Sequence, residues 1–129
     1  MGNLLVVTQN FVNSGLITIQ DNAAALPYPS TIVVSGLTGA VTKVTATLSN
    51  INHTFPDDVD VLLVGPGGQK VLLMSDVGGN NSLTNVTITL DDSAPSSLPD
   101  TTRINPGTFK PSNIDVNTDT FPGPAPAAP

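Results

Sequence analysis

The sequence contains no cysteine, no tryptophan and no glutamate. Without cysteine there is no disulfide, no thiol nucleophile and no thiolate zinc site. That absence leaves the compartment open, because many bacterial secreted proteins also lack cysteine. Basic residues are few, four against ten acids, and all ten acids are Asp. A net charge of −6 repels phosphate backbones and excludes nucleic acid as a partner. Long apolar runs are missing too. No stretch approaches the roughly 18 apolar residues that a membrane span needs. Leu4 to Val7 is a short apolar run with no basic residue before it, unlike a signal peptide. Val6 stands where a myristoylation signal has Ser or Thr. If the domain is secreted, its export signal belongs to a longer precursor.

What remains is a chain of 129 residues with only 11% charged residues, the balance rich in Thr, Val, Asn, Ser, Gly and Pro. The length fits one domain that could bury roughly two-thirds of its unfolded surface. The composition describes a β-rich extracellular module better than a helical cytosolic one. No apolar pattern of helical period is sustained, and Gln, Lys and Arg are scarce. Strand signals recur at Leu16–Ile19, Ser30–Ser35, Val41–Ser49, Asp58–Val64, Lys70–Met74 and Thr84–Leu90. In Val41–Ser49, Val44, Ala46 and Leu48 fall on one side and Thr45 and Thr47 on the other, the period of a half-buried strand. Gly65-Pro66-Gly67-Gly68 suits a tight reversal between the fourth and fifth segments. Six short strands separated by turn residues predict an all-β fold, an antiparallel β-sandwich or jelly roll.

The last third differs. Eight of the twelve prolines lie between residues 91 and 129. Proline cannot donate to a sheet ladder, so this stretch should be extended loop or polyproline II, with one short strand or turn near Gly107–Lys110. It either packs over the sandwich as an ordered loop or awaits more chain. The expected organisation is a linker over 1–15, a sandwich over 16–121 and a Pro/Ala-rich tail over 122–129.

The run His53-Thr54-Phe55-Pro56-Asp57-Asp58-Val59-Asp60, the strand Val61–Val64, Gly65-Pro66-Gly67-Gly68 and the second strand to Ser75-Asp76 resemble the central signature of the P domain, also called P/Homo B. This is the β-sandwich beside the catalytic domain of subtilisin-like proprotein convertases. Ile19-Gln20-Asp21, Tyr28-Pro29-Ser30 and Val34-Ser35-Gly36-Leu37 also resemble bacterial members. The likeness spans about residues 16–121, and 53–76 is its specific part. It implies a jelly-roll-like, galactose-binding-domain-like sandwich with a non-catalytic, accessory role beside a serine endopeptidase. The family pattern continues into Trp-bearing strands. This chain has no Trp and stops at Pro129, so the expectation is a C-terminally incomplete sandwich with open edges, prone to self-association.

The chemistry-bearing residues are few. His53 is the sole histidine, and no Gly-x-Ser-x-Gly elbow is present, so it is expected to bond nearby backbone rather than to act as a base. Asp57, Asp58 and Asp60, with Asp76 beyond the hairpin, are the candidate calcium ligands. Calcium takes six to eight oxygens, which carboxylates and backbone carbonyls could supply. The plainer reading is that each Asp makes an Asx-turn or interrupts a strand edge. Calcium has been found in members of the resembled family, which adds weight to the ligand reading without displacing the plainer one and assigns no ligands. Asn-x-Ser/Thr sequons at Asn52, Asn80 and Asn85 are what chance supplies in so polar a chain. Partners are then an adjacent protease catalytic domain or, in a different class, neighbouring extracellular modules of a cell-surface adhesive protein. A calcium-dependent lectin is a weaker third reading, since the aromatics are one Tyr and four Phe.

Overall fold

The computed structural model describes residues 5–116 and 119–129. The chain divides into two units, Met1–Ala40 and Val41–Pro129.

In the first unit the only regular pairing among the described residues is one antiparallel bridge, Thr18 with Leu26, closed by two backbone hydrogen bonds of 2.8 and 2.9 Å. The Gln20 side chain donates to the Ala24 carbonyl across the intervening turn. Asn13 donates to the Thr31 carbonyl and to Ser30 Oγ. The strands expected at Leu16–Ile19 and Ser30–Ser35 do not form. Their side chains lie open to solvent, Leu16 at 83% and Val33 at 77% exposure. β-Branched residues favour strands mainly by packing on neighbours, and among the described residues the single Thr18–Leu26 bridge is the one pairing either segment makes.

Among its described residues the second unit holds six strands in two three-stranded sheets: β1 (Ala46–His53), β2 (Val61–Val64), β3 (Lys70–Ser75), β4 (Leu83–Leu90), β5 (Gly107–Phe109) and β6 (Ser112–Asn113). One sheet has the order β1-β4-β5 and the other β2-β3-β6. No α-helix occurs among the described residues. The chain is thus almost all β, with two small sheets in an arrangement consistent with a β-sandwich. The purely antiparallel expectation needs correction. β1–β4 and β2–β3 are antiparallel, but β5 runs parallel to β4 and β6 parallel to β3.

The reason lies in the connection. A parallel neighbour needs a long crossover, and the Pro-rich stretch after Leu90 supplies it. That stretch is built into the core: Ala94, Leu98 and Ile104 are buried, and Leu98 and Ile104 join the cluster of Leu73, Met74, Val86, Ile88 and Leu90. Over residues 91–106 the ordered-loop reading is the one found, and two short strands, β5 and an unexpected β6, follow it. Lys110 and Pro111 then carry the chain from the first sheet to the second.

The strand expected over Val41–Ser49 begins only at Ala46 and runs on to His53. Val44, expected to face inward, is 64% exposed. The β1–β4 register is interrupted around Asn50, where Asn50 and Asn85 take positive φ. Side chains fill the broken ladder. Asn52 Oδ1 accepts from the Asn85 backbone N–H at 3.0 Å, and Thr87 Oγ1 accepts from Asn50 N–H at 3.0 Å.

The strand expected from Asp58 starts at Val61 instead. Pro56–Asp58 form a single 3₁₀ turn, with Pro56 buried at its first position, where a missing N–H costs nothing. Beyond the hairpin, Gly78 packs so tightly that a Cβ would lie 2.9 Å from both Ile104 Cδ1 and Pro56 Cγ; its φ of +79° also favours glycine.

Candidate functional site

Strand register brings carboxylates from distant parts of the described chain to the end of the β2–β3 hairpin. Val61 pairs with Met74, so Asp60 falls beside Ser75 at the end of the hairpin. Ser75 in turn pairs with Asn113 of β6. Three adjacent strands therefore set Asp60, Ser75 and Asn113 in a row. Asp76 follows Ser75 in a left-handed conformation, φ 54°, and Asp119 returns to the same spot after β6.

Ser75 is fully buried, and its hydroxyl is the meeting point. Asp60 Oδ1 and Asp119 Oδ1 each lie 2.5 Å from Ser75 Oγ, and Asp76 Oδ2 lies at 3.2 Å. Asn113 Nδ2 donates to the other Asp119 oxygen at 3.0 Å. The Asn113 side-chain carbonyl oxygen is buried with no hydrogen-bond donor.

Burial first, and the nearness of other carboxylates after it, raise two of these groups. Burial is the main cause that raises the Asp60 carboxyl above its ordinary value, against a lowering hydrogen bond from Ser75; Asp119, Asp58 and Asp57 raise it further. Asp60 is exposed as a residue, but its Oδ1 turns inward onto a buried hydroxyl. Asp76 is raised for the same first reason, with Asp119, Asp60 and Asp115 adding to it.

Of the four sequence-derived candidates, Asp60 and Asp76 are brought together. Asp57 and Asp58 sit in the 3₁₀ turn and reach the cluster only through their charge. Ser75, Asn113 and Asp119 were not among the candidates. Asp119 lies in the Pro-rich third, and nothing local in the sequence shows which strand end it returns to. Among the described residues, no set of three or more His, Cys, Asp or Glu side chains stands in ready metal-ligand geometry. The carboxylates meet on the serine hydroxyl, not around a common centre.

His53 is used within its own turn: Nδ1 lies 2.7 Å from the Phe55 carbonyl and 3.1 Å from the Phe55 N–H. Of the sequons, Asn52 and Asn85 bond each other across β1 and β4, whereas Asn80 is exposed. Elsewhere a groove of about 310 Å³ is lined by Leu63, Val71, Leu73 and Leu90 beside Lys43 and Asp92. Lys43 also pairs with Asp91 at 2.9 Å, which holds that carboxyl below its ordinary value. No helix among the described residues is long and apolar enough to cross a membrane.

No family model, no curated protein and no solved structure matches the chain.

Proposed function

We propose that the chain is a non-catalytic accessory module: a jelly-roll-like β-sandwich of the P-domain kind, acting outside the cell beside the catalytic domain of a subtilisin-like serine protease. The observation that carries the reading is how the segment 53–76 uses its polar residues. Hydrolysis by a serine needs the hydroxyl held by a base that an acid orients. Here the imidazole of His53 is occupied by the Phe55 backbone, and the buried Ser75 hydroxyl faces carboxylates. That is structural chemistry. The carboxylate cluster is read as a cation site that stabilises the module, with calcium as the cofactor. The apolar groove at Leu63, Val71 and Leu73 supports packing against a neighbouring domain, since Val71 is 43% exposed on an otherwise buried strand.

The test is deletion of residues 41–129 from the polypeptide that carries them. Loss of soluble, active protease is the expected result. Unimpaired proteolysis by the deleted form overturns the accessory role.

A further inference from the structure

Each sheet of the second unit has two edges, and the chain treats them differently. At β1 the extended line breaks at Asn50, φ 55°, and the Asn52 side chain donates to the Asn50 carbonyl. Irregularities of this kind turn an edge away from further pairing. β5 has three residues, begins just after Pro106, and is met beyond its end by the bridge of Ser97 with Lys110. β6 has two residues, begins just after Pro111, and its Ser112 hydroxyl accepts the Leu98 N–H. β2 is left without such cover. Val61–Val64 is wholly apolar, with neither charge nor proline. After an irregularity at Val61, Leu62, Leu63 and Val64 pair in unbroken register with Leu72, Val71 and Lys70. Among the described residues these four bond only to β3. In an antiparallel pair alternate residues aim their N–H and C=O away from the partner, so the outer side of β2 presents backbone polar groups between apolar side chains. An extended, uncharged strand satisfies both.

We propose that β2 pairs with β2 of a second copy of this chain, antiparallel about a two-fold axis, so that the β2-β3-β6 sheet continues into its twin. Charge selects both the partner strand and its direction. Each chain carries a net charge of −6, so two copies approach at least cost where neither is charged, and Val61–Val64 is such a stretch. Asp60 directly precedes it. A parallel pairing would set the two Asp60 residues about 4.8 Å apart, side by side. An antiparallel pairing about an axis at Leu62 or Leu63 sets them at opposite ends, at least about 13 Å apart, beyond the screening length of about 8 Å at physiological salt. The two-fold contact is self-complementary, because each copy offers the other the same edge. It also consumes both β2 edges, so assembly stops at two. Val64 and Val71, 44% and 43% exposed, add apolar surface around the new ladder. Four residues a side make a small contact, so the dimer is weak and reversible, with a dissociation constant of order 0.1 mM. The pairing depends neither on the accessory role nor on the cation reading of the carboxylates.

The test is sedimentation equilibrium of the full chain from about 10 μM to about 1 mM, with amide hydrogen exchange followed residue by residue at both ends of that range. The expected result is a monomer that passes to a species of twice 13.2 kDa and no larger. Exchange within Val61–Val64 should slow as the dimer forms, while β1, β5 and β6 keep their rates. Val64→Lys puts a charge on the exposed edge; it should weaken dimerisation at least about tenfold and leave the melting temperature of the dilute chain within about 3 °C of the parent. Val33→Lys, at a position 77% exposed in the first unit, should leave dimerisation unchanged. A chain that stays monomeric at about 1 mM, that grows beyond two copies, or that gains protection at β1 instead of β2 overturns the proposal. So does association abolished by Val33→Lys and untouched by Val64→Lys. The exchange measurement is made on the parent chain and decides the matter even if Val64→Lys does not fold.

Discussion

The first forty residues and the last forty exchange the roles their compositions suggest. Leu16–Ile19 and Thr31–Val34 are short, apolar and β-branched, yet they stay exposed and form no strand, with Thr18 bridged only to Leu26. Residues 91–129 hold eight prolines, yet they bury Ala94, Leu98 and Ile104 and supply the third strand of both sheets. The difference shows that propensity describes what a segment could do on a neighbour, while burial depends on whether the chain path brings that neighbour. Proline does not prevent a segment from entering the core; it restricts the segment to connections and strand ends.

The sharpest way to break this contrast is to truncate one side chain in each region. Ile104→Ala removes a side chain with no exposed surface and should cost about 2–5 kcal/mol in chemical denaturation. Gly78→Ala comes next. Its Cβ would press on Ile104 and Pro56 at 2.9 Å from a left-handed backbone, and a loss of about 1–3 kcal/mol is expected. Asp119→Asn should raise the metal-free melting temperature near neutral pH by about 3 °C, through relief of repulsion around Ser75. Leu16→Ala, at 83% exposure, should stay within about 0.5 kcal/mol of the parent. A loss at Leu16 as large as that at Ile104 would erase the distinction.

The smallest effect concerns Asp91. Its carboxyl is lowered, first by the hydrogen bond from Lys43, so its contribution is present above the unfolded value of 3.8 and is lost as pH falls through the folded one. An NMR titration of Asp91 should give a midpoint that moves up toward the ordinary value in Lys43→Ala.

What the sequence made legible was local. The hairpin of β2 and β3 follows from two apolar runs around Gly65–Gly68, and β4 from the alternation of Val86, Ile88 and Leu90. The short strand near Gly107 is also found as β5. The parallel pairings were not legible, because their partners are separated by a crossover and by sequence distance, and no pattern within either strand encodes them. The site divides on the same line. Asp60 and Asp76 flank a readable hairpin, whereas Asn113 and Asp119 reach it only through the parallel register of Ser75 with Asn113.

The passage of the chain between sheets at Lys110 and Pro111 has a consequence in time. During synthesis, β1 to β4 emerge first, but Leu98 and Ile104, which complete the core, and β5 and β6, which complete each sheet, come only in the last third. The fold therefore cannot close progressively from its N-terminal end. Its antiparallel pairs must remain open-edged until about residue 113 is available, and then both sheets gain their final strands within a few residues of one another. Such late, sequence-distant pairing is slow, and the exposed edges have to be kept from neighbouring chains until it is done.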